Sequence, residues 1–198
     1  MNDLNRKYEA IVMGASSGGT QALLRIIPAL PTETGVPVII VQHVQEGSNF
    51  TLPDFLNEKS GVLVKEACDK EPIQPGTVYI APPGYHLLVE EDRTLALSMD
   101  PKVSYARPSI DVLFESAARV FEDNLVGIIL TGANSDGSQG LKEVKAFGGL
   151  TIVQDPATAE ADTMPMEAIK AIQVDHVLEL NSIGHFLKGL CDNDVSHS

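Results

Sequence analysis

A chain of 198 residues with 43% hydrophobic and 21% charged side chains can bury a sizeable core in one compact domain and is not a disordered tail. A net charge of −13 excludes nucleic acid or an anionic membrane surface held by surplus Lys and Arg. Two cysteines, Cys68 and Cys191, with no CxxC pair, exclude a disulfide scaffold and a thiolate zinc site, and no apolar run has the length of a secretory signal or a membrane span.

Short β-branched runs alternate with amphipathic stretches along the chain. Ala10–Met13 reads as a strand, and Thr20–Leu30 as a helix with Leu23, Leu24, Ile27 and Leu30 on one face. Val38–Gln42 has the unbroken apolar character of a central parallel strand. A helix over Asn49–Lys59, with Phe50, Phe55 and Leu56 apolar, and a strand over Val62–Glu66 follow. Val78–Ala81, Leu87–Glu90 and Leu95–Ser98 are short strands separated by Pro82-Pro83-Gly84 and Glu91-Asp92, the turn chemistry of hairpins.

Alternation then resumes. Ser109 stands where it would cap a helix through Phe121, Val126–Thr131 is a strand, and a helix over Leu141–Phe147 stops at Gly148-Gly149. Leu150–Gln154, a helix over Met164–Ile172 opened by Met164-Pro165, a strand over His176–Leu180 and a last helix from Ser182 complete the chain. The pattern predicts one α/β domain over residues 1–198: a doubly wound, mostly parallel sheet in a Rossmann-like three-layer arrangement, with an antiparallel hairpin insertion.

Sites in such sheets form beyond the carboxyl ends of the strands. Three strand ends carry chemistry: Gly14-Ala15-Ser16-Ser17-Gly18-Gly19, Gln42-His43, and Gly132-Ala133-Asn134-Ser135-Asp136-Gly137. The first fits G-x-S-x-G, a pattern that exposes a serine hydroxyl on a tight strand-to-helix turn beside free N–H groups. Ser16 holds the serine position and is the expected nucleophile, His43 the expected general base, and Asp136 the group that orients it. Backbone N–H groups of Ser17 and of the Gly132–Ala133 turn are the expected oxyanion donors. The chain order Ser…His…Asp differs from that of the α/β-hydrolases.

A dinucleotide loop is the rival reading of the first turn. Two departures weigh against it, since Ser16 replaces the second glycine of G-x-G-x-x-G and His43 stands where an acidic residue would hold a ribose; a thermal shift with NAD or NADP would favour it. Arg107, Ser109 and Asp111 read as structural: a cap, a carboxylate at a helix start, and a guanidinium paired with acidic neighbours. His86 is expected to border the cleft, with His176, His185 and His197 peripheral and residues 191–198 a frayed polar tail.

The segments Ile11–Thr20, Val41-Gln42-His43, Tyr79–Pro83, Arg107–Phe114, Leu130-Thr131-Gly132 with Asp136-Gly137, and Met164-Pro165 with Glu167-Ala168-Ile169 resemble, in order, the catalytic domain of the chemotaxis protein-glutamate methylesterases, the CheB-type family. The resemblance implies a cytoplasmic serine hydrolase without metal or cofactor. Its partner would be the methylated cytoplasmic domain of a chemoreceptor, whose γ-glutamyl methyl esters it demethylates and whose glutamines it can deamidate. Ser16, His43 and Asp136 fall on that family's catalytic trio. A monomeric catalytic domain without a receiver domain is expected. Two departures stand out: Ala133-Asn134-Ser135 replaces the family's usual Met, Gly and variable residue, and Met166 stands where Arg is common. They leave a second reading, a non-catalytic or diverged adaptor module on the same fold.

Overall fold

The computed structural model describes residues 3, 6–32, 34–43 and 52–195, the side chains of 192–195 excepted. Seven strands, β1 (Ala10–Ala15), β2 (Val38–Gln42), β3 (Leu63–Glu66), β4 (Thr77–Ile80), β7 (Leu125–Ile129), β8 (Leu150–Gln154) and β9 (His176–Leu178), form one sheet in the order β3-β4-β2-β1-β7-β8-β9. Every pairing in it is parallel. A separate antiparallel pair, β5 (His86–Val89) with β6 (Leu95–Ser98), is the hairpin insertion. The helices are α1 (Gly19–Ile26), α2 (Leu52–Lys59), α3 (Ile110–Phe121), α4 (Ser138–Ala146), α5 (Thr163–Ala171) and α6 (Leu180–Val195).

Every residue of β1, β2, β7 and β8 is buried, as expected of strands covered on both faces. Alternate side chains feed two cores. Ile11, Met13, Ile40 and Ile128 face Leu23, Ile26, Leu56, Ile183 and Leu187 from α1, α2 and α6. Val12, Ile39, Val41 and Ile129 face Ile110, Phe114, Leu141, Val144 and Met164 from α3, α4 and α5, together with the hairpin. Burying a side chain of this size contributes about 1.5–3 kcal/mol each, so the two cores hold the sheet rigidly beneath the loops at its carboxyl edge.

The structure corrects the placement of one strand and the limits of the first and last helices. Val78–Ala81 does not belong to the hairpin with its two successors; as β4 it pairs in parallel with β2 and β3. Its four residues are buried on both sides, and Pro82-Pro83-Gly84 leads out of the sheet rather than turning a hairpin. The first helix ends in a short 3-10 turn over Ile27–Ala29, where Pro28 interrupts the α pattern. The last helix starts at Leu180, two residues before the expected Ser182, and shortens the final strand. Phe50, the start of the helix expected from Asn49, and His197 lie outside the described residues.

No helix among the described residues is long and apolar enough to cross a membrane. No disulfide joins exposed Cys68 to buried Cys191. The chain runs from β1 to β2 on one side and later adds β7 on the other, so strand order switches between β1 and β7. The crevice expected of a doubly wound sheet therefore opens at the ends of β1, β2 and β7.

Candidate active site

The register Gly14↔Val41 and Ala15↔Gln42 brings the two strand ends level, so Ser16 and His43 leave the sheet side by side. The His43 N–H donates to the Ala15 carbonyl at 3.0 Å, and the Ser16 N–H to the Thr131 carbonyl at 2.9 Å, tying all three strand ends together. Gln42 tightens the join. Its Nε2 donates to the carbonyls of Ser16 (2.9 Å) and His43 (2.8 Å), a single buried amide clamping both backbones. Its Oε1 makes no hydrogen bond among the described residues and lies against Gly19, where any side chain would collide with it.

The chain turns from β1 into α1 through Gly18 at φ 78°, a left-handed conformation that glycine adopts without a Cβ penalty. Ser16 is half-buried, Ser17 exposed, and the Ser16 hydroxyl makes no hydrogen bond among the described residues. The N–H groups of Ser17 and Ala133 are likewise unengaged among the described residues. The Gly132 N–H is not available, because it donates to the Ala161 carbonyl at 3.0 Å. Of the Gly132–Ala133 turn, only Ala133 can offer its donor.

Asp136 is fully buried, and its two oxygens receive four donors. Oδ1 accepts from the Ser109 hydroxyl (2.8 Å) and the Asp111 N–H (3.1 Å); Oδ2 accepts from the Ile110 N–H (2.7 Å) and lies 2.9 Å from His43 Nε2. Burial opposes the carboxylate's charge, but the hydrogen bonds from His43, Ile110, Asp111 and Ser109 outweigh it and hold the group below the usual aspartate range. An ionised carboxylate can only accept, so His43 donates from Nε2.

The other ring nitrogen gives the same answer. Asn134 Oδ1 accepts from the Asp136 N–H at 3.0 Å, which fixes the orientation of its amide and leaves Nδ2 3.3 Å from His43 Nδ1. An amide NH₂ can only donate, so Nδ1 is an acceptor and the neutral ring carries its proton on Nε2. The free lone pair that could take a serine proton is therefore on Nδ1.

Ser109 occupies the cap position of α3, as expected, but its hydroxyl does not cap the helix. It donates to Asp136, which itself caps α3 from the turn leading into α4 through the N–H groups of Ile110 and Asp111. Behind it, the Ser109 N–H donates to Nδ1 of His86, whose Nε2 lies 3.1 Å from the Pro101 carbonyl. His86 is buried and supports the site from below rather than bordering it. Arg107 hydrogen-bonds the carbonyls of Met99 and Asp100 instead of a carboxylate.

Asp111 Oδ1 accepts from the N–H groups of Gly137 (2.9 Å) and Gly140 (2.8 Å), holding the start of α4 against α3. Gly137, at φ 95°, makes the turn that presents Asp136 to the crevice. Burial, with the Asp136 charge nearby, raises the Asp111 carboxyl from 3.8 to about 6 despite those two hydrogen bonds. The folded state therefore binds the proton more tightly than the unfolded chain, and stability contributed by this group grows as pH falls from above 6 towards 4. Asp111→Asn keeps an acceptor for both glycines without the charge. Its melting temperature is expected to exceed that of wild type at pH 7.5, with the gap narrowing by several degrees at pH 5 in thermal denaturation; a constant gap would contradict the buried charge.

Among the described residues, the other two histidines lie elsewhere, His176 beside Asp3 and His185 on its own helix carbonyl at Asn181. No group of three or more His, Cys, Asp or Glu suited to a metal occurs among the described residues. Met166, on α5, is exposed. Gln42 and Asn134 were not singled out for this role by sequence, since amides at strand ends carry no distinguishing spacing.

Residues 11–187 match the family model described as CheB methylesterase. A Leptospira interrogans protein, provisionally named protein-glutamate methylesterase/protein-glutamine glutaminase, is 51% identical over 188 residues, covering 95% of this chain and 97% of that protein. The protein-glutamate methylesterase/protein-glutamine glutaminase of Clostridium acetobutylicum is 39% identical over 175 residues; the match covers 88% of this chain and 51% of that longer protein. The crystal structure of the Thermotoga maritima CheB methylesterase catalytic domain superposes with a TM-score of 0.88 at 34% identity, covering 93% of this chain and all of that one. On the sequence match, the shared fold and the extent of both, the chain belongs to the CheB methylesterase family.

Proposed function

We propose that this protein is a serine esterase that hydrolyses γ-glutamyl methyl esters on the cytoplasmic helices of chemoreceptors, with deamidation of glutamine side chains as a second activity of the same site. One observation carries the reading. The His43–Asp136 hydrogen bond is built beside Ser16 where the ends of β1, β2 and β7 converge. Family membership supplies the substrate class.

Ser16 Oγ attacks the ester carbonyl while its proton passes to His43 Nδ1. The charge that develops on the ring is balanced by Asp136, and the oxyanion is met by the N–H groups of Ser17 and Ala133. Collapse of the tetrahedral adduct breaks the bond to the methoxy group, which takes the proton from His43 and leaves as methanol. Water then attacks the acyl-enzyme, giving its proton to His43; expulsion of Ser16 restores the hydroxyl and frees the glutamate. With glutamine, the same sequence releases ammonia. Partner, cellular location and monomeric state follow the family and belong to this proposal.

The test is methanol release from a methylated chemoreceptor cytoplasmic fragment. Wild type is expected to liberate methanol in proportion to ester lost, and the fragment left with free glutamates. Binding of the fragment without methanol release would overturn the reading in favour of an adaptor module.

A further inference from the structure

The resting site has an occupant on its base. Asn134 Nδ2 lies 3.3 Å from His43 Nδ1, the one ring position whose lone pair can accept the serine proton, whereas the Ser16 hydroxyl makes no hydrogen bond among the described residues. The amide cannot turn over freely, since its Oδ1 is held by the Asp136 N–H at 3.0 Å. The same short turn therefore presents a carboxylate to one ring nitrogen and a donor to the other, through Asp136 and Asn134.

We infer that Asn134 is a positioning residue that caps Nδ1 of His43, in the tautomer set by Asp136, until substrate binds. Ser16 is then activated by exchange, the serine O–H replacing the amide N–H at Nδ1. Two consequences follow from the hydrogen-bond logic. The ring is locked before substrate arrives, because a donor at Nδ1 and an acceptor at Nε2 fit one tautomer only. The nucleophile is also held back, because a capped lone pair cannot draw off its proton. Displacement of the cap by an arriving ester, whose carbonyl oxygen can itself receive the freed amide, would couple activation to occupancy. The inference rests on the serine-hydrolase reading above.

The probe is a fluorophosphonate, which phosphonylates an activated serine without needing the receptor substrate; fluoride leaves and the serine proton passes to the base. Asn134→Ser keeps an acceptor for the Asp136 N–H but is too short to reach His43. Asn134→Asp keeps the acceptor and replaces the donor with a second acceptor, which holds a proton on Nδ1. Labelling of Ser16 is expected to be about threefold to tenfold faster in Asn134→Ser, the weight of one neutral hydrogen bond, and at least about tenfold slower in Asn134→Asp. In ¹⁵N-histidine spectra, the Nδ1 resonance of Asn134→Ser is expected to move towards that of an unbonded acceptor while the proton stays on Nε2. Labelling that is unchanged or slower in Asn134→Ser, or an Nδ1 resonance that does not move, overturns the inference while leaving the esterase reading intact. Failure of wild type to label at Ser16 under conditions where a control serine hydrolase reacts would instead strike the reading itself.

Discussion

Asp136→Ala is expected to lower kcat/KM for ester hydrolysis by about 10³–10⁴, the loss that follows when the orienting acid of a Ser-His pair is removed. It is also expected to lower the melting temperature by about 10 °C. The two effects share one cause. Asp136 Oδ2 receives both His43 Nε2 and the Ile110 N–H, and Oδ1 receives the Ser109 hydroxyl and the Asp111 N–H. Removing the side chain frees the imidazole to change tautomer and leaves two N–H groups at the start of α3 without an acceptor. Leaving a buried network short of its charged partner costs about 3–5 kcal/mol, and each kcal/mol is worth roughly 2–4 °C at this chain length. Assays well below the variant's melting temperature separate the losses. Unchanged melting would refute the capping role, and activity within about tenfold of wild type would refute the orienting one.

An amide is no silent replacement at this position. All four neighbours of the carboxylate donate, so the NH₂ of Asp136→Asn meets a backbone N–H whichever way it turns. The site is built around a full negative charge, which agrees with the lowered pKa of this carboxyl. Asp111, only partly compensated by two backbone donors, shows the opposite: the same kind of side chain, buried nearby with fewer donors, is pushed up to about 6. Donor count, rather than burial alone, separates the two.

The strand ends that carry Ser16, His43 and the Asp136 turn were legible because each follows a run of β-branched residues that must be buried on both faces. Parallel pairing then brings those ends to one edge without any knowledge of the contacts. What sequence could not show is who pairs with whom across that edge. Ser109 has the composition of a local cap, yet its hydroxyl goes to Asp136, a partner that only tertiary structure supplies. Gln42 reads as the polar end of an apolar strand, and nothing local says that its amide joins two backbones. Asn134 registers in the sequence only as a departure from the family pattern; its orientation depends on the Asp136 N–H and its meaning on the tautomer of His43. The misplacement of Val78–Ala81 has a similar origin. Turn residues on its C-terminal side suggested a hairpin, whereas burial on both faces required a place in the sheet beside β2.

Two serines stand next to each other on the turn after β1, and in the proposed mechanism they have different roles: Ser16 supplies its hydroxyl and Ser17 its backbone N–H. Losing the hydroxyl of a nucleophile removes the covalent route altogether, whereas Ser17→Ala leaves the N–H in place. Ser16→Ala is therefore expected to reduce kcat for γ-glutamyl methyl ester hydrolysis by about 10⁴ or more, and Ser17→Ala by less than about threefold. The most direct measurement is methanol release from the methylated receptor fragment by the two variants side by side, each checked for an unchanged melting temperature. Loss of release in Ser16→Ala with near-normal release in Ser17→Ala is the predicted result; retained release in Ser16→Ala would contradict the assignment of Ser16 as nucleophile and with it the mechanism.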